Sequence, residues 1–362
     1  MKIIANYLPQ YHRIPENDKW WGEGFTDWVS CKNAKPLFEN HMQPKTPLNN
    51  NYYSLDNVET IRWQAKLAKK YGISGFGIYH YWFHSDLNIL TTPPTLILEN
   101  TDIDIDYFFI WDNKSWKKTW SALTGGAGWT ADVDKKTQVL AELRYEGEEE
   151  WEKHFQYFLP FFKDTRYLKK NGKPILALFC TFLEYETIVK MIDYWDKRAK
   201  ECGFNGVEVL SRDDYKQKQF KSKFRYTPFA PTNISDYLKL KIKRILGKQK
   251  IKKFSYDALW KEIIRNAKRA DSNTILSGFV MFDDTPRRGN NGNVVLGDTP
   301  EKFYHYLKKL VVIAKKKEND FILLTAWNEW GEGCYLEPDV ENGYAYLEAV
   351  KKVADELIDI NE

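Results

Sequence analysis

Short apolar runs alternate with longer amphipathic stretches along this chain. The runs are Ile3–Leu8, Ile73–Trp82, Ile105–Trp111, Pro174–Cys180, Gly206–Ser211, Arg225–Ala230, Ile275–Phe282 and Phe321–Ala326. Each fits a strand covered on both faces, because such strands read as near-continuous apolar segments rather than as alternating ones. Between them apolar residues recur at three- and four-residue steps, the period of one helix face. Examples are Ile61, Ala65 and Ala68, then Ile188, Ile192, Trp195 and Ala199, then Phe303, Leu307, Leu310 and Ala314. Thr299-Pro300-Glu301 reads as a helix start, with a capping hydroxyl, a proline in the first turn and an acid near the positive end of the helix dipole. Tyr346, Val350, Val353 and Leu357 mark a closing helix. Strand and helix alternate eight times, which predicts an α/β fold: a (β/α)8 TIM-like barrel forming a single domain over residues 1–362.

Active sites of such barrels sit at the C-terminal ends of the strands. The residues that follow each run therefore matter most. They are His12, Trp20 and Trp21 after the first run; His80, Trp82 and His84 at the second; Asp112, Asn113, Trp116 and Trp120 after the third; Asp283, Asp284, Arg287 and Arg288 after the seventh. After the eighth comes Trp327-Asn328-Glu329-Trp330-Gly331-Glu332. Three insertions, at about 18–57, 112–146 and 231–253, are long enough to build walls around a cleft on that face.

Aromatic residues make up 16% of the chain. Most belong to the core, but large flat rings also suit stacking on sugar faces, and Trp20, Trp21, Trp82, Trp116, Trp327 and Trp330 fall on the catalytic side. The net charge is +4, yet Lys239–Lys253 alone carries eight cations and no acid, leaving the rest of the chain at −4. That stretch interleaves cations with Leu238, Leu240, Ile242, Ile245, Leu246 and Ile251, a composition suited either to a solvated loop or to peripheral contact with an anionic membrane. Nucleic acid is not expected as a partner, since the cations are confined to one segment. Cys31, Cys180, Cys202 and Cys334 are too widely spaced for a zinc motif or a disulfide framework. The first residues, MKIIANYLPQYHR, lack the apolar core of a secretory signal, and no stretch approaches a membrane span; a cytoplasmic location is expected, at most peripheral to the inner face of a membrane.

Glu329 and Glu332 carry the clearest chemistry. Cleaving or making a glycosidic bond needs one carboxyl to handle the proton of the bridging oxygen and a second group to deal with the developing sugar cation. Two glutamates on an exposed loop are the ordinary reading of such a pair, but the flanking tryptophans, Asn328 and two glycines favour a site. Their spacing does not fix the distance between the carboxyls, so retention and inversion both stay open. Asp102-Ile103-Asp104 and Asp132-Val133-Asp134 have the spacing of a divalent-metal and sugar-nucleotide motif, but the first lies at the start of a strand, on the wrong face. No phosphate loop or dinucleotide fingerprint is present, and neither a metal nor a cofactor is expected. Arg287 and Arg288 are suited either to an anionic substrate group or to ion pairs with Asp283 or Asp284. His80 reads equally as a sugar-hydroxyl contact or a core hydrogen-bonder.

AWNEWGEGCYLEPD resembles the signature of the glycoside hydrolase family 99-like proteins of the WbsX type. YLPQYHRIPENDKWWGEGFTDW, the AKPLF and QP within Lys35–Pro44, YGISGFGIYHYWF, FDDTPRRG and GDTPEKFY agree in the same order across nearly the whole chain. The resemblance implies a (β/α)8 barrel acting on glycosidic bonds in cell-surface polysaccharide (O-antigen or capsule) biosynthesis. It also implies roles. Glu329 would assist attack by the sugar's own 2-hydroxyl through a 1,2-anhydro sugar, and Glu332 would be the acid/base at the bridging oxygen. The expected partner is an oligosaccharide or a sugar donor, with hydrolase and glycosyltransferase both compatible, and a non-catalytic carbohydrate-binding barrel as the third reading. One segment departs from the pattern. Where the family has Trp-Ala-Asn-Glu-Asn-Trp, this chain has Trp111-Asp112-Asn113-Lys114-Ser115-Trp116, with lysine in place of the acid.

Overall fold

A computed structural model describes residues 1–117, 139–181, 183–212, 220–228 and 251–359. Its centre is a parallel sheet of β1 (Lys2–Tyr7), β2 (Gly75–His84), β3 (Asp106–Trp111), β4 (Lys173–Leu178), β5 (Glu208–Arg212), β6 (Ser222–Phe224), β7 (Thr274–Ile275 and Ser277–Phe279) and β8 (Phe321–Thr325). Neighbours in the chain are neighbours in the sheet, and β1 pairs with β8. Closure runs through β7, whose first half pairs with β6 and whose second half pairs with β8. The split falls at Leu276, whose carbonyl accepts from the Leu323 amide. The predicted (β/α)8 barrel is what the chain forms.

Among the described residues seven helices flank the strands: Val58–Lys70, Thr92–Glu99, Glu148–Lys163, Tyr185–Glu201, Tyr256–Arg269, Pro300–Lys316 and Ala345–Asp359. The spacing rules hold at their buried faces, since Ile61, Ala65, Ala68, Ile188, Trp195, Ala199, Phe303, Leu307, Leu310 and Ala314 are all buried. Thr299 caps its helix by accepting from the Lys302 amide at 3.2 Å, with Pro300 next in line. Successive residues of a strand serve different layers. Phe108 of β3 meets Phe321 of β8 across the barrel interior at 5.6 Å between ring centroids, whereas its neighbour Phe109 packs outward on Phe158 and Phe161 of the helix Glu148–Lys163.

Most strand limits shift by one or more residues from the sequence reading, and three of the shifts are instructive. β6 ends at Phe224, before the expected Arg225–Ala230, because only Ser222–Phe224 finds ladder partners in β5 and β7. β5 starts at Glu208 rather than Gly206, and Gly206 has a positive φ of 111° that a strand does not accommodate. β7 ends at Phe279; the apolar residues Val280 to Phe282 are buried in the loop above the barrel. The first insertion carries short helices at Pro15–Trp21 and Asp27–Asn33. Residues 118–138 of the second insertion, with Trp120 and Asp132-Val133-Asp134, lie outside the described residues. So do residues 229–250, which hold most of the basic stretch Lys239–Lys253. Beyond them Lys252–Ser255 forms a parallel two-stranded sheet with Asn293–Leu296.

Candidate active site

The stretch after β8 folds back on itself. Asn328–Glu329 pairs antiparallel with Cys334–Tyr335, and Trp330–Glu332 makes a single 3-10 turn between them. Gly333 closes the turn at φ 52°, in the left-handed region that glycine enters without penalty. Gly331 answers a different need, since a Cβ there would sit 2.5 Å from Asp27 Oδ2 and 2.6 Å from Arg287 Nε. The hairpin is fastened to its surroundings at several points. Asn328 clasps the backbone of Leu8, accepting from its amide at 2.7 Å and donating to its carbonyl at 3.0 Å. The Glu332 carbonyl accepts from the Asp283 amide at 2.7 Å.

This turn brings both glutamates to one guanidinium. Arg287 donates to Glu332 Oε1 at 2.7 Å and to Glu329 Oε2 at 3.2 Å. Its remaining edge meets Asp27 in a bidentate pair, at 3.1 Å to Oδ1 and 2.9 Å to Oδ2. Asp27 Oδ2 also accepts from the Gly331 amide at 3.1 Å, so the first insertion, the residues after β7 and the hairpin after β8 are tied at one point. Burial pushes Glu329 well above the usual carboxylate range and its neighbour Glu332 adds to this, while Arg287 pulls it back. For Arg287 burial disfavours the charge, but Asp27, Glu332 and Glu329 outweigh it and hold the guanidinium above its ordinary value.

Both glutamates open onto a cavity of about 380 Å³ at the C-terminal end of the barrel, within the size range of small-molecule sites. Tyr79, Tyr81, Phe179, Tyr226 and Phe282 supply its aromatic surface; Asp112, Lys114, Arg212, Asp284, Arg287 and Arg288 its charge. Of the residues singled out in the sequence, Asp112, Lys114, Asp284, Arg287, Arg288, Glu329 and Glu332 meet there. Arg288 is 3.1 Å from Asp284, and burial raises the Asp284 carboxyl to about 6 against the pull of that arginine.

The other singled-out residues do not line the cavity. His80 and Trp82 face outward from β2: His80 Nε2 lies 2.8 Å from His154 Nε2, and Trp82 stacks on His154 at 4.2 Å and donates to Glu150. Burial drives His80 down to about 3. Trp116 packs on Tyr81 and Phe83, with Trp20 at its edge, and Trp21 packs on Phe25. Asn113 bonds both the amide and the carbonyl of Cys180. His12 is 2% exposed, and burial lowers it. Trp327 packs on Phe76, and Trp330 stacks on Tyr335 at 3.7 Å and donates to Glu337. Of these, Trp116 backs the wall residue Tyr81, and Asn113 holds the backbone next to Phe179. Asp102 is bound by Arg62 and Asp104 by Lys69 at the opposite end of the barrel. Among the described residues no group of three His, Cys, Asp or Glu is placed to hold a metal ion.

The cavity residues that sequence reading passed over are Tyr79, Tyr81, Phe179, Arg212 and Tyr226, with Asp27 behind Arg287. Tyr79 and Tyr81 alternate with His80 and Trp82 in one strand. Strand ends were the available signal for Phe179 and Arg212, which follow β4 and close β5. Asp27 is 260 positions from Arg287, and nothing in its local sequence announces the pair.

Several known proteins share this architecture. The endo-alpha-mannosidase of family GH99 from Bacteroides thetaiotaomicron superposes with a TM-score of 0.57 at 15% identity, covering 99% of this chain and 98% of that one. Its complex with bis-tris-propane gives 0.56 over the same shares. At this identity the likeness is one of fold. In sequence, the uncharacterized protein WxcX of Xanthomonas campestris pv. campestris is 28% identical over 372 aligned positions, and its counterpart in strain B100 is 27% identical. Both matches cover 99% of this chain, which spans about half the length of those relatives. The family described as Glycosyltransferase WbsX matches residues 3–350, and the chain belongs to that family.

Proposed function

We propose that the chain is an enzyme acting on glycosidic bonds in cell-surface polysaccharide biosynthesis, with Glu329 and Glu332 as its catalytic carboxyls. One observation carries the reading: the two glutamates share a single guanidinium at the edge of an aromatic-lined cavity on the face where barrels do chemistry. With Asp27 already paired to Arg287 in bidentate fashion, full ionisation of both glutamates would leave excess negative charge in a buried place. Glycoside chemistry needs one acid and one base, and a single proton held between the two carboxyls meets both requirements.

In the reaction Glu329 takes the proton of the sugar 2-hydroxyl as its oxygen attacks the anomeric carbon, and Glu332 gives a proton to the departing bridging oxygen. The C1–O bond breaks as the 1,2-anhydro ring closes. In the second step an incoming hydroxyl loses its proton to Glu332 and opens the ring, while Glu329 returns a proton to O2. Burial raises Glu329 to about 8, so its carboxylate is a strong base once its proton has left, and turnover should rise with pH up to about that value. Water as acceptor gives hydrolysis, and a sugar hydroxyl gives transfer. The endo-alpha-mannosidase likeness favours the first and the family's description the second.

Mass spectrometry decides between them and tests the pair. The protein is incubated with sugar nucleotides and with oligosaccharides of the source's own surface glycan, and the consumed compound is identified. Glu332→Gln and Glu329→Gln should each lower turnover by at least a hundredfold while the protein stays folded. Unchanged turnover in both variants removes the glutamates from the mechanism; sugar binding with no product from any substrate leaves a binding barrel.

A further inference from the structure

Arg287 and Arg288 end the short helix Thr285–Arg288, and the two are engaged differently. Arg287 is committed to Asp27, Glu329 and Glu332. Arg288 lines the cavity with its side chain only 15% exposed, and its one ion-pair partner among the described residues is Asp284, 3.1 Å from its Nε. The two terminal nitrogens of its guanidinium have no hydrogen-bond partner among the described residues. Donors screened from bulk water and left unbonded cost free energy, which an oxygen-rich ligand in the cavity recovers. Asp284 holds the arginine in place. Its carboxylate accepts from the Asn293 amide at 2.6 Å and from Asn293 Nδ2 at 3.0 Å, and its carbonyl accepts from the amides of Arg287 and Arg288. The planar fork is therefore prebuilt at the wall, with little side-chain freedom left to lose on binding.

Place and charge decide what the fork takes. The charge of Glu332 bears on Asp284, whereas that of Glu329 bears on Tyr79 and Tyr81, so Arg288 stands on the Glu332 side of the cavity. Around it four carboxyl groups, Asp27, Asp284, Glu329 and Glu332, outnumber the two cations Arg287 and Arg288. An added phosphate or carboxylate meets repulsion there, while a hydroxyl oxygen accepts from the guanidinium without that penalty. We propose that Arg288 binds the sugar that carries the bridging oxygen, leaving in the first step or accepting in the second, through hydroxyl oxygens of an uncharged ring. The proposal rests on the reading that Glu332 serves the bridging oxygen. A nucleoside diphosphate leaving group would meet the same carboxyls, so the substrate that fits is a glycoside rather than a sugar nucleotide.

Saturation-transfer NMR titrations on the whole protein test this, with the monosaccharides obtained by hydrolysing the source's own surface glycan and with uridine diphosphate as the anionic probe. At least one uncharged monosaccharide should bind, and more tightly than uridine diphosphate. Arg288→Ala should weaken that binding about tenfold, the worth of one charge-assisted hydrogen bond. Arg288→Lys keeps a cation beside Asp284, which guards the fold, but gives up the planar fork and should weaken binding about threefold. Three outcomes overturn the proposal: no uncharged sugar bound, uridine diphosphate the tighter ligand, or sugar affinity unchanged in both variants. Glu332→Gln should abolish turnover while the sugar still binds. Turnover that survives this exchange strikes the catalytic pair, and binding that survives both Arg288 exchanges strikes the sugar subsite, so the two failures read out separately.

Discussion

Arg287 faces three carboxylates in a buried place, and its removal exposes what each of them costs. In Arg287→Ala the side chains of Asp27, Glu329 and Glu332 would remain with their shared counter-charge gone; breaking a buried ion pair in this way costs roughly 3–5 kcal/mol. The loss should be larger at pH 8 than at pH 5, because protons can neutralise the orphaned carboxylates at the lower pH. Urea denaturation at both values checks it, and a variant as stable as the wild type at pH 8 would contradict the assigned geometry. At this scale the sequence was informative about half of the site. Glu329 and Glu332 stand out because only two residues separate them in a segment dense with tryptophan and glycine. Asp27 does not, because an ion pair between residues 260 apart leaves no trace in either neighbourhood.

Among the elements, β2 shows most clearly where pattern reading loses resolution. Side chains alternate between the barrel interior and the helices, so choosing the catalytic residues of a strand means choosing its parity. In GFGIYHYWFH both parities are buried and aromatic, and nothing polar marks the inner one. Histidine drew the choice to His80, whereas Tyr79 and Tyr81 line the cavity. The hairpin after β8 is better determined, and its anchor is a buried acid. Glu337 accepts from Trp330 Nε1 at 2.7 Å, Tyr53 at 2.7 Å and Gln64 at 2.7 Å, yet burial still raises its carboxyl from 4.5 to about 7. A carboxyl with a raised folded value binds its proton more tightly when folded. Its contribution is therefore fully present below about 4.5 and is lost as pH rises towards 7. Glu337→Gln should remove this term: its stability should fall less between pH 5 and pH 8 than that of the wild type, although one hydrogen bond is lost at every pH. Parallel thermal melts at the two pH values measure the difference, and equal falls would mean that Glu337 is ionised throughout.

For the whole molecule the eightfold alternation was enough to give the barrel, because parallel strands buried on both faces and helices of one apolar stripe leave few other ways to cover a sheet. Boundaries were harder: β6 has only three residues in the ladder, and its apolar neighbours continue past it into a loop. The insertions that build a barrel's rim carry no period to read, which is why their chemistry must come from composition. The basic insertion shows what that can yield. One described flank, Pro228, lines the cavity, and the other, Lys252–Ser255, pairs with a strand whose first residue, Asn293, lines it. Eight cations among leucines and isoleucines are a composition suited to peripheral contact with an anionic bilayer, where each cation contributes roughly 1 kcal/mol. Exchanging Lys239, Lys241, Lys243 and Arg244 for glutamine should thus weaken binding to phosphatidylserine vesicles by about three orders of magnitude at low salt, while the Lys252–Ser255 ladder stays intact. The same exchange should leave binding to uncharged phosphatidylcholine vesicles unaltered, and raising the salt should reduce the wild type towards the variant. Cosedimentation that fails to distinguish the two proteins on anionic vesicles would leave this stretch a solvated loop.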